Sequence, residues 1–337
     1  MAVDVLSSSL HAMSVTFLMI LAGTLLRATG IMTTAGQREL AQVTVKLLLP
    51  AFNFTAIISD VSWDTLEACR VVALFAGLHV TFGLLLAWLV LACARQVPFF
   101  QQQWGQTLVL CGFCNGTAIP LPLFRALLAA PQLQRPNAEA QGSLAITAYG
   151  TIWRVLLWTI GIGLLESEAT KGSKRASLRK WLSAAVFNAN TAATAAGMMI
   201  ALGGLQKLLF SGAFACVREA CTNISKASHA MLLLTLGASL WPIPRIQDWR
   251  AIIGICFVKL LVLPVLTLFV LWLIDLRNVF GIVIAIEGCV PSALQISMMV
   301  QSVGLDARPC TVICFWQHVV ALGTMTTFLS VALLGMT

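Results

Sequence analysis

The chain has 337 residues, of which 59% are hydrophobic and 10% charged, with a mean hydropathy of +0.90. A water-soluble domain carries about 25% charged residues, so this composition excludes a soluble globular protein, a disordered chain and a small disulfide-stapled scaffold and indicates an integral membrane protein. The net charge of +8 does not point to nucleic acid, because the cations are few and fall mostly between apolar runs.

A helix that crosses the hydrocarbon core needs about 20 predominantly apolar residues. Ten runs satisfy this, at 8–30, 38–59, 70–93, 106–129, 143–165, 181–205, 224–242, 250–273, 278–302 and 309–334. No Lys or Arg precedes Arg27, so the first run is expected to be a retained span rather than a cleaved signal peptide. Four stretches, Leu40–Ser59, Ala140–Leu165, Ala251–Ile274 and Asn278–Leu305, are interrupted by a single charge each, namely Lys46, Arg154, Lys259 and Glu287. A charge at a helix centre costs at least about 2.5–3.5 kcal/mol unless paired or hydrated. Lys46 and Lys259 are expected to snorkel toward an interface. Arg154, deepest in its run, is a candidate for the substrate cavity. Glu287 is a candidate proton-linked carboxylate, with a permanent ion pair to Arg154 or Lys259 as the alternative.

The fourth run reads Cys111-Gly-Phe-Cys-Asn115-Gly116-Thr-Ala-Ile-Pro120-Leu-Pro122. Each proline removes a backbone donor and clashes with the preceding turn, and the glycines ease unwinding, so a continuous helix is not expected there. The ninth run repeats the device as Glu287-Gly288-Cys-Val-Pro291-Ser-Ala-Leu-Gln295. Breaks near Asn115–Pro120 and Gly288–Pro291 are therefore predicted to cross near the midplane, with a carboxamide beside each.

The two breaks lie half a chain apart, and the same offset carries the first run onto the sixth and the fifth onto the tenth. Two five-span repeats follow, at 1–165 and 181–337, separated by a loop at 166–180. An odd number of spans per repeat inverts the second copy. That loop holds Lys171, Lys174, Arg175, Arg179 and Lys180. With it on the cytoplasmic side, eleven loop cations lie on that side against seven opposite, which places both termini outside by the positive-inside rule. Inverted repeats with matched interrupted helices indicate a secondary transporter with its site at the breaks. The half-helix N-termini there offer unpaired N–H groups and a positive dipole end, which suit an organic anion.

Other polar motifs carry less. The ten cysteines sit mostly in apolar runs, where Cys acts as a small hydrophobe, and Cys111-x-x-Cys114 lacks the βαβ context of a redox motif. The four histidines show no metal-like spacing. Gly237-Ala-Ser239 with a distant His318 is a loose echo of an intramembrane serine protease but lacks a paired nucleophile and base. Asn223-Ile-Ser225 is a glycosylation sequon on the expected outer side. No catalytic residue, metal or cofactor is expected.

Several segments together resemble the auxin efflux carrier superfamily, nearer to the PIN-LIKES carriers than to the PIN-FORMED ones. These are Gly23-Thr-Leu-Leu-Arg-Ala-Thr-Gly30, Lys46-Leu-Leu-Leu-Pro50-Ala-Phe-Asn-Phe54, Asn115-Gly-Thr-Ala-Ile-Pro120-Leu-Pro122, and Pro291-Ser-Ala-Leu-Gln295 through Cys310-Thr-Val-Ile-Cys-Phe-Trp316. Gln295 stands where the family usually has Asn, Ser292 replaces its second Pro, and the long hydrophilic central loop of the PIN-FORMED carriers is absent. The resemblance implies an all-α, ten-helix fold shared with bile acid sodium symporters, worked by an elevator-like exchange of access. It implies substrate binding by Asn115 and Gln295, joined on the residue reading by Arg154. Gly116, Pro120, Pro122, Gly288 and Pro291 are the expected crossover residues and Glu287 the coupling residue. The expected partners are a small auxin-like organic anion and the lipid bilayer, with a homodimer left open. A proton- or cation-coupled carrier of dicarboxylate or bile-acid type is the alternative. A receptor or channel would not need matched broken helices, and neither the plasma membrane nor the endoplasmic reticulum is singled out.

Overall fold

The computed structural model describes residues 2–116, 119–128, 136–170, 188–212, 214–242 and 249–335. The basic cluster from Lys171 to Lys180 lies outside them, as does the start of the sixth apolar run. Among the described residues the chain is helical, and its one β-type contact is an isolated antiparallel bridge between Cys114 and Ser292.

The principal helices are α1 (Ala2–Ala28), α2 (Thr34–Asp60), α3 (Arg70–Cys93), α4 (Trp104–Gly112), α5 (Pro120–Leu127), α6 (Ala138–Ala169) and α7 (Ala189–Leu202). They continue as α8 (Ala215–Lys226), α9 (Ser228–Ser239), α10 (Trp249–Leu273), α11 (Val279–Cys289), α12 (Gln295–Ser302) and α13 (Arg308–Leu334). Five helices, α2, α3, α6, α10 and α13, are long and apolar enough to cross a membrane, and Ser14–Ala28, α7 and α11 are shorter apolar helices. Their starts follow the usual chemistry: the side chains of Thr33, Asn188 and Asn278 accept from the backbone N–H groups of Gly36, Thr191 and Gly281, satisfying donors that the first turn leaves open.

Large apolar side chains such as Leu18, Leu74 and Trp272, each about two-thirds exposed, point away from the protein. In water such a surface would be a liability; in hydrocarbon it is the solvated face. The chain is an integral membrane protein. Helix packing relies on small residues where backbones meet. A Cβ at Gly23 would lie 2.1 Å from the Leu234 carbonyl oxygen, and one at Gly237 would lie 1.9 Å from that of Ile20, so α1 and α9 cross with no room for a side chain. Thr24 ties the crossing by donating to the Gly237 carbonyl at 2.9 Å.

The two predicted interruptions differ in extent. In the first, α4 ends at Gly112 and α5 begins at Pro120, and Phe113–Gly116 and Ile119 are the residues described between them. Pro122 sits inside the first turn of α5, where a missing N–H costs nothing, so it belongs to helix rather than to the break. The second interruption is shorter, from Val290 to Leu294. Gly288 lies in the last turn of α11 and is not unwound. A Cβ there would meet the Thr267 hydroxyl at 2.7 Å, so its small size serves the close approach of α10.

Candidate functional site

The two interruptions pair with each other. The Asn115 N–H donates to the Pro291 carbonyl at 2.8 Å, and the Ala293 N–H donates to the Phe113 carbonyl at 3.1 Å. Pro291 follows directly on the end of α11 and Pro120 opens α5, and the backbone groups freed at the two breaks satisfy one another across 176 residues of chain separation for the first pair (Pro291 minus Asn115). Unsatisfied backbone in an apolar surround costs several kcal/mol, so this reciprocal pairing is what makes the two breaks tolerable. Ser292 completes the seal: its N–H donates to Gln317 Oε1 at 2.9 Å and its hydroxyl donates to the Leu110 carbonyl.

Beside this junction lies a cavity of about 470 Å³, within the range of about 300–1,000 Å³ usual for small-molecule sites. Asn115, Gly116, Arg154 and Gln295 all line it. Asn115 comes from the first break, Gln295 from the first residue of α12, and Arg154 from α6. Arg154 is 3% exposed, with its guanidinium 5.3 Å from the centre of the Phe52 ring. Phe52 and Trp153 supply aromatic wall, and Leu49, Leu121 and Leu232 extend the apolar part. A guanidinium, two carboxamides and an apolar body match an amphipathic anion: the charge is met at one cluster and the rest of the molecule is desolvated against rings and aliphatic groups.

Among the expected crossover residues, Gly116 and Pro122 line the cavity. Pro120 starts α5 and Pro291 lies in the second break. Glu287 does not reach the cavity lining. It is 0% exposed on α11, and its recorded contact is Cys114, whose Sγ lies 3.7 Å from Oε2. No ion pair joins it to Arg154 or Lys259 among the described residues. Lys259 corrects another expectation: it is 1% exposed and does not snorkel, while Lys46 is exposed. Both lysines lie in local π-helical turns, at Thr44–Leu48 and Val258–Val262.

The match to known families covers residues 8–329, nearly the whole chain, and that family is described as membrane transport protein. The chain belongs to it. This is the family of auxin efflux carriers and PIN-like transporters, and membrane transport is not an enzyme activity. No curated protein matches the chain. For a member of this family, Ser239 and His318 need no catalytic reading: Ser239 donates to the Thr235 carbonyl and accepts from Gln37, and His318 Nδ1 contacts the Cys314 carbonyl at 2.7 Å. Cys111, Cys114 and Cys221 are free thiols.

Sequence reasoning read Cys114 as packing and His79 as a helix-to-helix hydrogen-bonding group, and did not single out Tyr149 or Thr267; the four form a hydrogen-bonded line behind the junction. One signal was available. Tyr149 is the only tyrosine in the chain, and a phenol placed mid-span must find a polar partner. Ser292 and Gln317 were equally silent, because their partners lie far away in sequence.

Proposed function

We propose that this protein is a secondary transporter of a small, auxin-like organic anion, working by alternating access around the paired breaks. The observation that carries the reading is the cavity: it joins Asn115 of the first interruption and Gln295, at the start of α12 just after the second, with the guanidinium of Arg154 and an aromatic wall. An amphipathic monoanion fits this lining better than a dicarboxylate, because the guanidinium of Arg154 shares the cavity with Phe52, Trp153 and leucines, and no second guanidinium and no ammonium group lines it among the described residues.

On this reading the ten apolar runs are ten spans in two inverted five-helix repeats, 1–165 and 181–337, with the 166–180 loop cytoplasmic. The junction moves as a unit relative to a scaffold in an elevator-type exchange. Asn115 and Gln295 bind the carboxylate, Arg154 neutralises it, and Glu287 links transport to protons from behind the junction.

Uptake of labelled indole-3-acetate into proteoliposomes of known orientation, with and without a pH gradient, tests the reading. Saturable uptake that unlabelled indole-3-acetate competes and succinate does not is the expected result. Uptake of succinate with no response to indole-3-acetate would replace it with the dicarboxylate reading, and failure of both would leave the family assignment without its substrate.

A further inference from the structure

Behind the junction, five groups from five separate elements make an unbroken line. The Thr267 hydroxyl on α10 donates to the Leu263 carbonyl at 2.8 Å and also lies 3.0 Å from His79 Nε2 on α3. His79 Nδ1 lies 3.0 Å from the Tyr149 hydroxyl on α6, that hydroxyl 3.4 Å from the Cys114 Sγ of the first break, and the Sγ 3.7 Å from Glu287 Oε2 on α11. All are buried: His79 and Thr267 are 3% exposed, Cys114 2%, Tyr149 and Glu287 0%. The carboxylate's other oxygen, Oε1, has no hydrogen-bond partner among the described residues.

The hydrogens in this line can be counted. From the Leu263 carbonyl to Glu287 there are five contacts, each needing one hydrogen. With His79 neutral and Glu287 ionised, Thr267, His79, Tyr149 and Cys114 supply one each, so one contact is left empty. A fifth hydrogen closes the line in either of two ways. Placed on Glu287, it makes every group donate toward Thr267: Glu287 to Cys114, Cys114 to Tyr149, Tyr149 to His79 Nδ1, His79 Nε2 to Thr267. Placed on His79, it makes the imidazolium donate from both nitrogens, with Tyr149 donating to Cys114 and Cys114 to the carboxylate. The two arrangements differ by the shift of three hydrogens, each within its own contact: from Glu287 to Cys114, from Cys114 to Tyr149 and from Tyr149 to His79 Nδ1.

We infer that Glu287, Cys114, Tyr149 and His79 form a proton wire that holds one transferable proton, with Glu287 and His79 as its two stations. Transfer breaks the Glu287 O–H bond and forms a Cys114 S–H bond, as Cys114 passes its own hydrogen to Tyr149 and Tyr149 passes its own to His79 Nδ1. Nothing is oxidised, and the net result is a carboxylate and an imidazolium. The proton enters from water in whichever access state exposes either station. Among the ionisable groups on the helices packed against α11, the cations acting on Glu287 are Lys259 of α10 and Arg154 of α6, and Lys259 also acts on His79. Cys111 and Cys289 lie near Lys259, and His318 of α13 is bonded to the Cys314 carbonyl. The wire touches the cavity through one peptide: Cys114 precedes Asn115, whose N–H holds Pro291. That link to transport rests on the proposed function, whereas the wire itself does not.

Infrared spectroscopy of the purified protein in lipid nanodiscs, without substrate, tests the wire alone. The expected result is a protonated-carboxylic C=O band at neutral pH that is absent in Glu287→Gln and shifted in frequency in Cys114→Ala and Tyr149→Phe. Glu168 is no competing source, since its carboxylate accepts from the N–H groups of Gly105 and Gln106 and from the Gln106 amide. Absence of any Glu287-dependent band, or a band that Cys114→Ala and Tyr149→Phe both leave unshifted, overturns the wire. In proteoliposomes, Tyr149→Phe and His79→Gln are expected to remove the response of indole-3-acetate uptake to a pH gradient while uptake without a gradient persists; an intact response in both overturns its role in coupling. If the wild type takes up no indole-3-acetate, the substrate reading fails while the infrared result still decides the wire.

Discussion

The two interruptions use the same local device and end in different environments. The first, between α4 and α5, presents Asn115 and Gly116 to the cavity. The second, Val290 to Leu294, is sealed: Val290 and Ser292 are 0% exposed, and Ser292 is held from both sides by Gln317 and the Leu110 carbonyl. Its contribution to the cavity comes mainly at its edge, through Ala293, Leu294 and then Gln295 at the start of α12. A broken helix therefore need not be a binding loop. Where protein donors and acceptors already satisfy the freed backbone, the break becomes a wall against which the other break is braced.

Substitutions separate these roles. The largest effect is expected for Arg154→Ala, which removes the one guanidinium among the described residues of the cavity lining: affinity for indole-3-acetate should fall more than about a hundredfold, measured by equilibrium binding to protein in nanodiscs. A fall no larger than that of a carboxamide variant would move the anion away from α6. Asn115→Ala and Gln295→Ala come next. An amide hydrogen bond to a charged group contributes about 1.5–3 kcal/mol, so each should weaken binding by about tenfold to a hundredfold with thermal stability unchanged. Unchanged affinity in both would empty the junction of substrate.

Gln317→Leu tests the sealed break. It strands the Ser292 N–H in a dry site, at a cost of about 1–3 kcal/mol, and should lower the unfolding temperature in detergent while leaving affinity within about twofold. If affinity falls and stability does not, the second break binds ligand after all. The smallest effect is expected from Lys46→Ala. Its side chain is exposed, whereas Lys259, in the similar stretch Val258-Lys-Leu-Leu-Val-Leu-Pro264, is buried. Stability should change by less than about 0.5 kcal/mol for Lys46→Ala and by distinctly more for Lys259→Ala; equal effects would make the two lysines equivalent.

Composition and local chemistry made much of this protein legible. The apolar runs, with Lys and Arg mostly between them, specify helices in a bilayer, because lipid leaves the backbone no other partner than itself. Pro120 and Pro291 locate the interruptions for the same reason, since proline acts on its own turn whatever surrounds it. Asn115, Gln295 and Arg154 were visible as polar side chains in places that apolar ones would fill. What each could reach was not.

Tertiary structure alone decided the rest. Val45-Lys46-Leu-Leu-Leu-Pro50 and Val258-Lys259-Leu-Leu-Val-Leu-Pro264 read almost alike, yet one lysine faces outward and the other is enclosed among Cys111, Cys114, Cys289 and Glu287. Gly288 looked like a hinge and proved to be clearance for Thr267. Cys114 looked like packing and stands between Tyr149 and Glu287, 35 and 173 residues away. Helix and break are written in neighbouring residues, because they depend on torsions and hydrogen bonds within a turn or two. Burial, partnership and the count of hydrogens in a polar line depend on which distant helices come together, and that is fixed only when the chain has packed.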